Sequence, residues 1–167
     1  MSCRGVHFSI TEEEVSKLRE FPDDESRLEY LQEEIEEIYF SEQPERTIET
    51  DKAWDAIHRV LTDGKLGYKN GTFPLNHVIL GGEPLYFEDD YIISLKTPEQ
   101  VKAIAQSLET ISIEFFKQKY FEIDSEEYGF LVNEEDFEYT WSWFIKLKPF
   151  FQKASLDGRC VIFTVDQ

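Results

Sequence analysis

His58 is the residue whose type and position most readily suggest chemistry in this chain of 167 residues. It lies four residues after Trp54 and one after Ile57, so the three share one face of a predicted helix that should enter the core. A histidine beside an indole on an apolar stripe can line a small binding pocket. The alternative is a structural histidine with both ring nitrogens satisfied, because one unpaired buried nitrogen costs about 1–3 kcal/mol.

The candidate pocket is built from residues within or beside this central helix. The helix is predicted to begin with Asp51 as its N-cap and to end at Gly64. The pocket residues are Asp51, Trp54, Asp55 and His58, with the two aspartates near the rim. The glycine-rich segment 65–72 that follows is predicted to be a loop and a possible lid over the pocket.

Other catalytic or cofactor chemistry has little support in the sequence. The three histidines lie on separate predicted elements, without the local spacing of a metal site, so no metal is predicted. Gly81-Gly82-Glu83-Pro84 lacks the lysine and hydroxyl residue of a phosphate loop, and no cofactor is predicted. The chain has 35 acidic residues, which will form close carboxylate pairs by chance, so acid–base catalysis cannot be inferred from them. An enzymatic function therefore ranks below a binding function.

The net charge of −18 restricts the partners that the protein can bind. A surface this acidic repels phosphate backbones and anionic lipid, so nucleic-acid and membrane binding are disfavoured. The same surface would attract a basic protein and accelerate their encounter in a salt-dependent way. The alternative is that the charge only keeps the protein soluble.

Two acidic stretches are the candidates for contact with a basic partner. The first is the polar face of a predicted helix, and the second is the segment 122–138, which contains eight acidic residues and no lysine or arginine. The residues singled out are Glu33, Glu36, Glu37, Glu126 and Glu127. The resulting hypothesis is a non-enzymatic binding protein that neutralises a basic partner such as a toxin. A small-molecule-binding protein or enzyme using the Trp54–His58 pocket is the alternative.

Several helices are predicted from capping signals and apolar stripes. Thr11 and Glu14 form a capping box at the start of one helix, and Thr97, Pro98 and Gln100 mark the start of another. Further helices are predicted over about 24–39, 75–80, 112–120 and from Asn133 onward, the last kinked or ended at Pro149.

Strands are predicted at both ends of the chain and at two places between them. Residues 2–10 and 159–165 are the clearest, and the second of these is apolar on both faces, as in a central strand. Tyr91–Leu95 and a possible strand Tyr128–Val132 bring the number to about four. The predicted fold is a single mostly helical α+β domain, residues 1–167, packed on a small antiparallel or mixed sheet.

The chain also shows no sign of export. The apolar residues at the start are interrupted by Arg4, His7 and Glu12, so no signal peptide or membrane span is predicted. Cys3 and Cys160 are both placed in strands and are expected to be buried free thiols. A cytoplasmic location is the expectation.

Two segments carry a resemblance to a known family. Residues 51–62, DKAWDAIHRVLT, and residues 74–85, PLNHVILGGEPL, resemble the YfbM-like family of small bacterial proteins, whose domain has no assigned function. The chain length, the opening SCRGVHFSI strand and the order of elements are also similar. The resemblance implies an α+β fold across essentially the whole chain and assigns no catalytic or binding residue.

Overall fold

An antiparallel sheet lies at the centre of the computed structural model, which describes residues 3–167. The strands in this range are β1 (Gly5–Ile10), β2 (Thr47–Asp51), β3 (Glu83–Pro84), β4 (Tyr91–Lys96) and β5 (Cys160–Asp166). Their order across the sheet is β2-β1-β5-β4-β3, and every pairing is antiparallel. The terminal strands β1 and β5 therefore pair at the centre, as the apolar character of β5 on both faces predicted.

The helices that cover the sheet fall into two groups along the chain. The first group is α1 (Glu12–Glu20), α2 (Asp24–Tyr30), a π-helical turn (Leu31–Glu36) and α3 (Glu37–Glu42). The second is α4 (Trp54–Leu61), α5 (Pro98–Leu108), α6 (Ile113–Tyr120), α7 (Ser125–Tyr128), α8 (Glu134–Phe144) and α9 (Leu147–Leu156). Short 3₁₀ turns occupy Pro44–Arg46 and Leu75–His77.

Each face of the sheet is buried under one of these groups. Val6, Phe8 and Ile10 of β1 pack with the apolar residues of α1 and of the π-helical turn. Val161, Phe163 and Val165 of β5 point to the opposite face and pack with α4–α6, α8 and α9. Because alternate residues of a strand point to opposite faces, β1 and β5 are buried along almost their whole length. The fold class predicted from the sequence, a mostly helical α+β domain, is confirmed.

The local helix signals are also confirmed. Thr11 and Thr97 each form a complete capping box, with Glu14 and Gln100 respectively, and Asn133 caps α8. Pro149 lies in the first turn of α9, directly after the break between α8 and α9. A proline tolerates this position because the backbone donors of a first turn have no partner within the helix.

The predicted N-cap role of Asp51 is wrong. Residues 47–51 form strand β2, and Asp51 ends that strand with a φ of 48°. Helix α4 begins at Trp54, and its N-cap Ala53 has no side-chain hydrogen bond. Thr47, Ile48 and Thr50 are β-branched, and pairing with β1 extends this segment up to Asp51.

Three smaller expectations also need correction. Tyr128–Val132 is not a strand, because Asp124 caps the short helix α7 and Gly129 ends it in the left-handed conformation. Only Leu75–His77 of the predicted helix 75–80 is helical, as a 3₁₀ turn, in the part of the chain that the structure describes. Cys3 precedes β1 and is only partly buried, whereas Cys160 is buried at the start of β5; both are free thiols.

Candidate functional site

Trp54 and His58 are both buried on the face of α4 that packs against the sheet. Trp54 is 7% exposed and His58 is 1% exposed. The indole Nε1 donates to the backbone carbonyl of Cys3 at 2.8 Å, and its ring lies 5.9 Å from that of Phe163. Trp54 thus joins the start of the chain to the central strand, and its polar atom is already satisfied.

His58 contacts the loop that was predicted to be a lid. Its Nε2 donates to Oδ1 of Asn70 at 3.1 Å, and the Asn70 amide donates in turn to Thr62, Asp63 and Lys65. Burial lowers the pKa of His58, while Asn70 and the Gly67 backbone act in the opposite direction. The histidine therefore holds the 65–72 loop against the end of α4 as a neutral imidazole.

The two aspartates of the predicted pocket contact other elements, Asp55 from α4 and Asp51 from the end of β2. Asp55 accepts from Nε of Arg59 at 2.6 Å, and the buried guanidinium also donates to the Glu127 carbonyl at 3.3 Å. The Asp51 carboxylate accepts from the Tyr139 hydroxyl at 2.6 Å. These contacts tie α4 to α7 and β2 to α8. Trp54 and His58 thus contact different neighbours from Asp51 and Asp55, and the pocket they were predicted to share remains a prediction.

A second polar arrangement on the same face of the sheet went unnoticed in the sequence. Residues 78–81, here called the carbonyl segment, have no helix or strand partner for their successive carbonyls. His7 of β1 donates to the Val78 carbonyl at 2.8 Å. Ser94 of β4 lies within 3.0 Å of the carbonyls of both Leu80 and Gly81.

Lys96 completes this arrangement. Its Nζ donates to the Ile79 carbonyl and lies 3.1 Å from Oγ of Ser94. Lys96 is fully buried, and no carboxylate among residues 3–167 forms a salt bridge with it. His7, Lys96 and Ser94 therefore donate to the carbonyls of this irregular segment from two strands, the single Ser94 hydroxyl serving Leu80 or Gly81 at any one time, which lowers the cost of burying the segment.

Burial without a counter-charge controls the protonation of this cluster. Burial lowers the pKa of Lys96 well below its ordinary value. His7 is also fully buried, and burial together with nearby Lys96 lowers its pKa to about 3. Burial lowers the pKa values of His58 and His77, and Lys96 lowers them further. All three histidines of the chain thus lie near one buried amine, a convergence that their sequence spacing did not show.

No group of three histidine, cysteine or carboxylate side chains within residues 3–167 is arranged to hold a metal ion. The alternation of side chains along a strand places Lys96 and Ser94 on the same buried face of β4 as Ile92. The sequence did not predict this burial, because a lysine at the end of a strand and next to a helix N-cap is ordinarily exposed to solvent.

The acidic residues predicted to contact a partner fall on opposite faces of the sheet. Glu33 and Glu37 are exposed on the first helical group. Glu36 between them turns inward, where Tyr91 donates to it at 2.5 Å, and burial raises its pKa. Glu126 and Glu127 are exposed on α7, within the second group.

Beside Glu126 and Glu127 lies an apolar pair, Phe130 and Leu131, that are 63% and 76% exposed. We refer to residues 126–139 as the α7–α8 surface. A cavity of about 580 Å³ adjoins the pair and is lined also by Glu135, Asp136 and Tyr139, among others. Contacts from β2 and α4 support this surface, since Tyr139 donates to Asp51 and Arg59 donates to the Glu127 carbonyl.

Comparison with known proteins places the fold within a family. The profile of a domain of unknown function, DUF1877, matches residues 1–164. The chain belongs to the DUF1877 family. YfbM from Escherichia coli, a protein of unknown function whose crystal structure is solved, is similar to this DUF1877 chain with a TM-score of 0.63 and 18% sequence identity. That similarity covers 97% of this chain and 99% of YfbM, which confirms the resemblance and the fold.

Neither comparison assigns a function. A search of curated proteins finds no significant match. In the described range 3–167, no helix is both long enough and apolar enough to cross a membrane.

The contact between His58 and Asn70 can be tested with a double-mutant cycle. His58→Leu removes the donor to Asn70, and Asn70→Ala removes the acceptor. We expect each single change to lower the free energy of unfolding by about 1–2 kcal/mol, with a coupling of about 0.5–1.5 kcal/mol measured by urea denaturation. Additive effects would show that His58 does not hold the loop and would favour a role for His58 in binding.

The buried state of His7 predicts sensitivity to acid. Below a pH of about 6.5, His7 becomes protonated in the unfolded chain but stays neutral in the folded chain. The contribution of His7 to the free energy of unfolding is therefore complete above that pH and declines as the pH falls towards 3. We expect His7 to contribute a slope of about 1.4 kcal/mol per pH unit to the free energy of unfolding.

The measurement is urea denaturation between pH 6.5 and 4.5 for wild type, His7→Leu and the less buried control His77→Gln. His7→Leu should show the shallowest dependence on pH. Equal slopes in all three proteins would contradict the assignment.

Proposed function

We propose that this protein binds a basic protein segment on the α7–α8 surface and that it acts without catalysis. The observation that supports the proposal most directly is the exposure of Phe130 and Leu131 next to Glu135 and Asp136, which line the same cavity, and close in the chain to the exposed Glu126 and Glu127. Protein interfaces are typically centred on a few apolar or aromatic anchors that a polar rim surrounds. An apolar pair with an acidic rim fits a partner with apolar side chains flanked by lysine or arginine.

The charge of this surface is only partly compensated within the protein. Lys117 pairs with Glu134 of this surface at 2.8 Å, whereas Lys119 pairs at 3.4 Å with Glu122, which lies outside it. Glu126 and Glu127 are exposed and take part in no salt bridge within residues 3–167. Their carboxylates are therefore available to a basic partner, whose approach they would accelerate.

Side-chain contacts hold the α7–α8 surface in place. The Arg59 guanidinium lies 5.7 Å from the centre of the Tyr128 ring, and Tyr128 donates to Asp136 at 2.9 Å. Tyr120 donates to the same Asp136 oxygen at 2.6 Å. A surface held in place before binding loses less conformational entropy on association.

The acidic face of the first helical group supports the proposal less well. Glu33 and Glu37 are exposed, but Glu36 is occupied by Tyr91. A cavity of about 540 Å³ at the start of α2 is rich in carboxylates, yet Asp23 and Asp24 there already cap α2 and bind Arg27. This face serves as a charge-matched control for the α7–α8 surface. Neutralisation of a toxin would be one form of the proposed function.

Site-specific photocrosslinking tests the proposal. A photoreactive phenylalanine analogue replaces Leu131 or, as the control, Leu156, which is 88% exposed on α9. After irradiation in a bacterial lysate, we expect a basic polypeptide to crosslink at position 131 and not at 156. The yield should fall between about 50 and 200 mM salt, a range in which screening of exposed charges increases.

Two charge-matched double variants complete this experiment. Glu126→Gln/Glu127→Gln should lower the yield at position 131 severalfold, whereas Glu33→Gln/Glu37→Gln should leave it unchanged. Crosslinking that is the same at both positions, or equally weakened by both double variants, would overturn the proposal.

A further inference from the structure

A polar cavity on the opposite side of the sheet is separate from the α7–α8 surface. It has a volume of about 390 Å³ and lies between α1, the π-helical turn, α3 and the start of β5. Its lining includes Glu14, Tyr39 and Arg159, together with the exposed Lys17 and Glu34. Cavities of this size are typical of sites for small molecules.

A chain of hydrogen bonds fixes two opposite charges in the wall of this cavity. Arg159 donates through Nη2 to the Tyr39 hydroxyl at 2.9 Å, and Tyr39 donates to Oε1 of Glu14 at 2.6 Å. Tyr39 is only 2% exposed. Burial and Glu14 raise its pKa, so the hydroxyl keeps the proton that it donates. The guanidinium and the carboxylate are therefore held on either side of one buried phenol.

Each charged group keeps one atom without a partner among residues 3–167. Nε and Nη2 of Arg159 donate to the Ser9 carbonyl, whereas Nη1 has no hydrogen bond. Oε1 of Glu14 accepts from the backbone and hydroxyl of Thr11 as well as from Tyr39, whereas Oε2 accepts nothing. A donor and an acceptor, both charged, thus remain for a ligand.

From this geometry we infer that the cavity binds a small zwitterion, a free α-amino acid, with its carboxylate on Arg159 and its ammonium group on Glu14. The ammonium nitrogen and carboxyl carbon of an α-amino acid lie about 2.5 Å apart. With one hydrogen bond of about 2.8 Å from the ammonium group and one to the carboxylate, the amino acid can bridge two protein groups that lie several ångströms apart. Glu14 and Arg159, which lie on either side of the Tyr39 hydroxyl, are two such groups. Lys17 and Glu34 add one further charge of each sign to the lining of the cavity.

The test uses the full-length protein and the free amino acids, offered one at a time at about 10 mM, a concentration that reveals millimolar affinity. Binding is measured first as a rise in melting temperature and then by titration calorimetry. The amino acid that binds is next compared with its N-acetyl and its carboxamide derivatives. Each derivative removes one charge, and we expect each to bind at least about tenfold more weakly.

Exposed variants separate a binding defect from a folding defect. Lys17→Gln and Glu34→Gln should weaken binding about two- to fivefold, as expected for partly screened charges, and leave the melting temperature of the free protein unchanged. The controls are Lys102→Gln and Glu109→Gln, which alter one lysine and one glutamate beside a different cavity, between α5 and α9. Both should bind as wild type does.

Three results would overturn the inference. The first is the absence of any thermal or calorimetric response to the amino acids. The second is equal affinity for the zwitterion and its two derivatives. The third is equal weakening by the rim variants and the controls.

Discussion

The buried amine of Lys96 stabilises the part of the structure that departs furthest from regular secondary structure. The carbonyl segment, residues 78–81, enters the core without a strand or helix to satisfy it, and its carbonyls accept from His7, Ser94 and Lys96. Uncompensated, these carbonyls would each cost about 1–3 kcal/mol when buried. The segment belongs to PLNHVILGGEPL, one of the two stretches that carry the family resemblance. Those residues are thus explained by packing and hydrogen bonding, without invoking a catalytic role.

Helix α4 connects this core to the acidic surface. Its inner face carries Trp54 and His58, which contact the start of the chain and the 65–72 loop. Its outer flank carries Asp55 and Arg59, which reach the backbone of α7. The same short helix therefore fixes the interior on one side and supports the exposed Phe130 and Leu131 on the other. Trp54, Asp55, His58 and Arg59 of this one helix thus contact four different parts of the chain.

The parts of the fold that depend on local interactions could be predicted from the sequence. Each of the helix caps at Thr11, Thr97 and Asn133 is a hydrogen bond to a backbone atom three residues away, so these caps can be predicted without knowledge of the fold. The alternation in β5 likewise showed that both faces are buried. Strand β2 and the role of Asp51 could not be predicted, because they depend on β1 and on Tyr139, which is 88 residues away. The partners of Lys96 and Arg159 are similarly distant in sequence or lie on irregular backbone.

Measurement of the protonation state of Lys96 tests this account most directly. Nuclear magnetic resonance of protein labelled with ¹³C and ¹⁵N on lysine resolves the side-chain nitrogen and ε-carbon shifts, and Lys96→Met assigns the signal. The account predicts that one lysine has a pKa well below the ordinary range and a side chain slow to exchange with solvent, and that this signal is absent from the variant. An ordinary titration of Lys96 near pH 10 would contradict a buried amine that is held by carbonyls without a counter-charge.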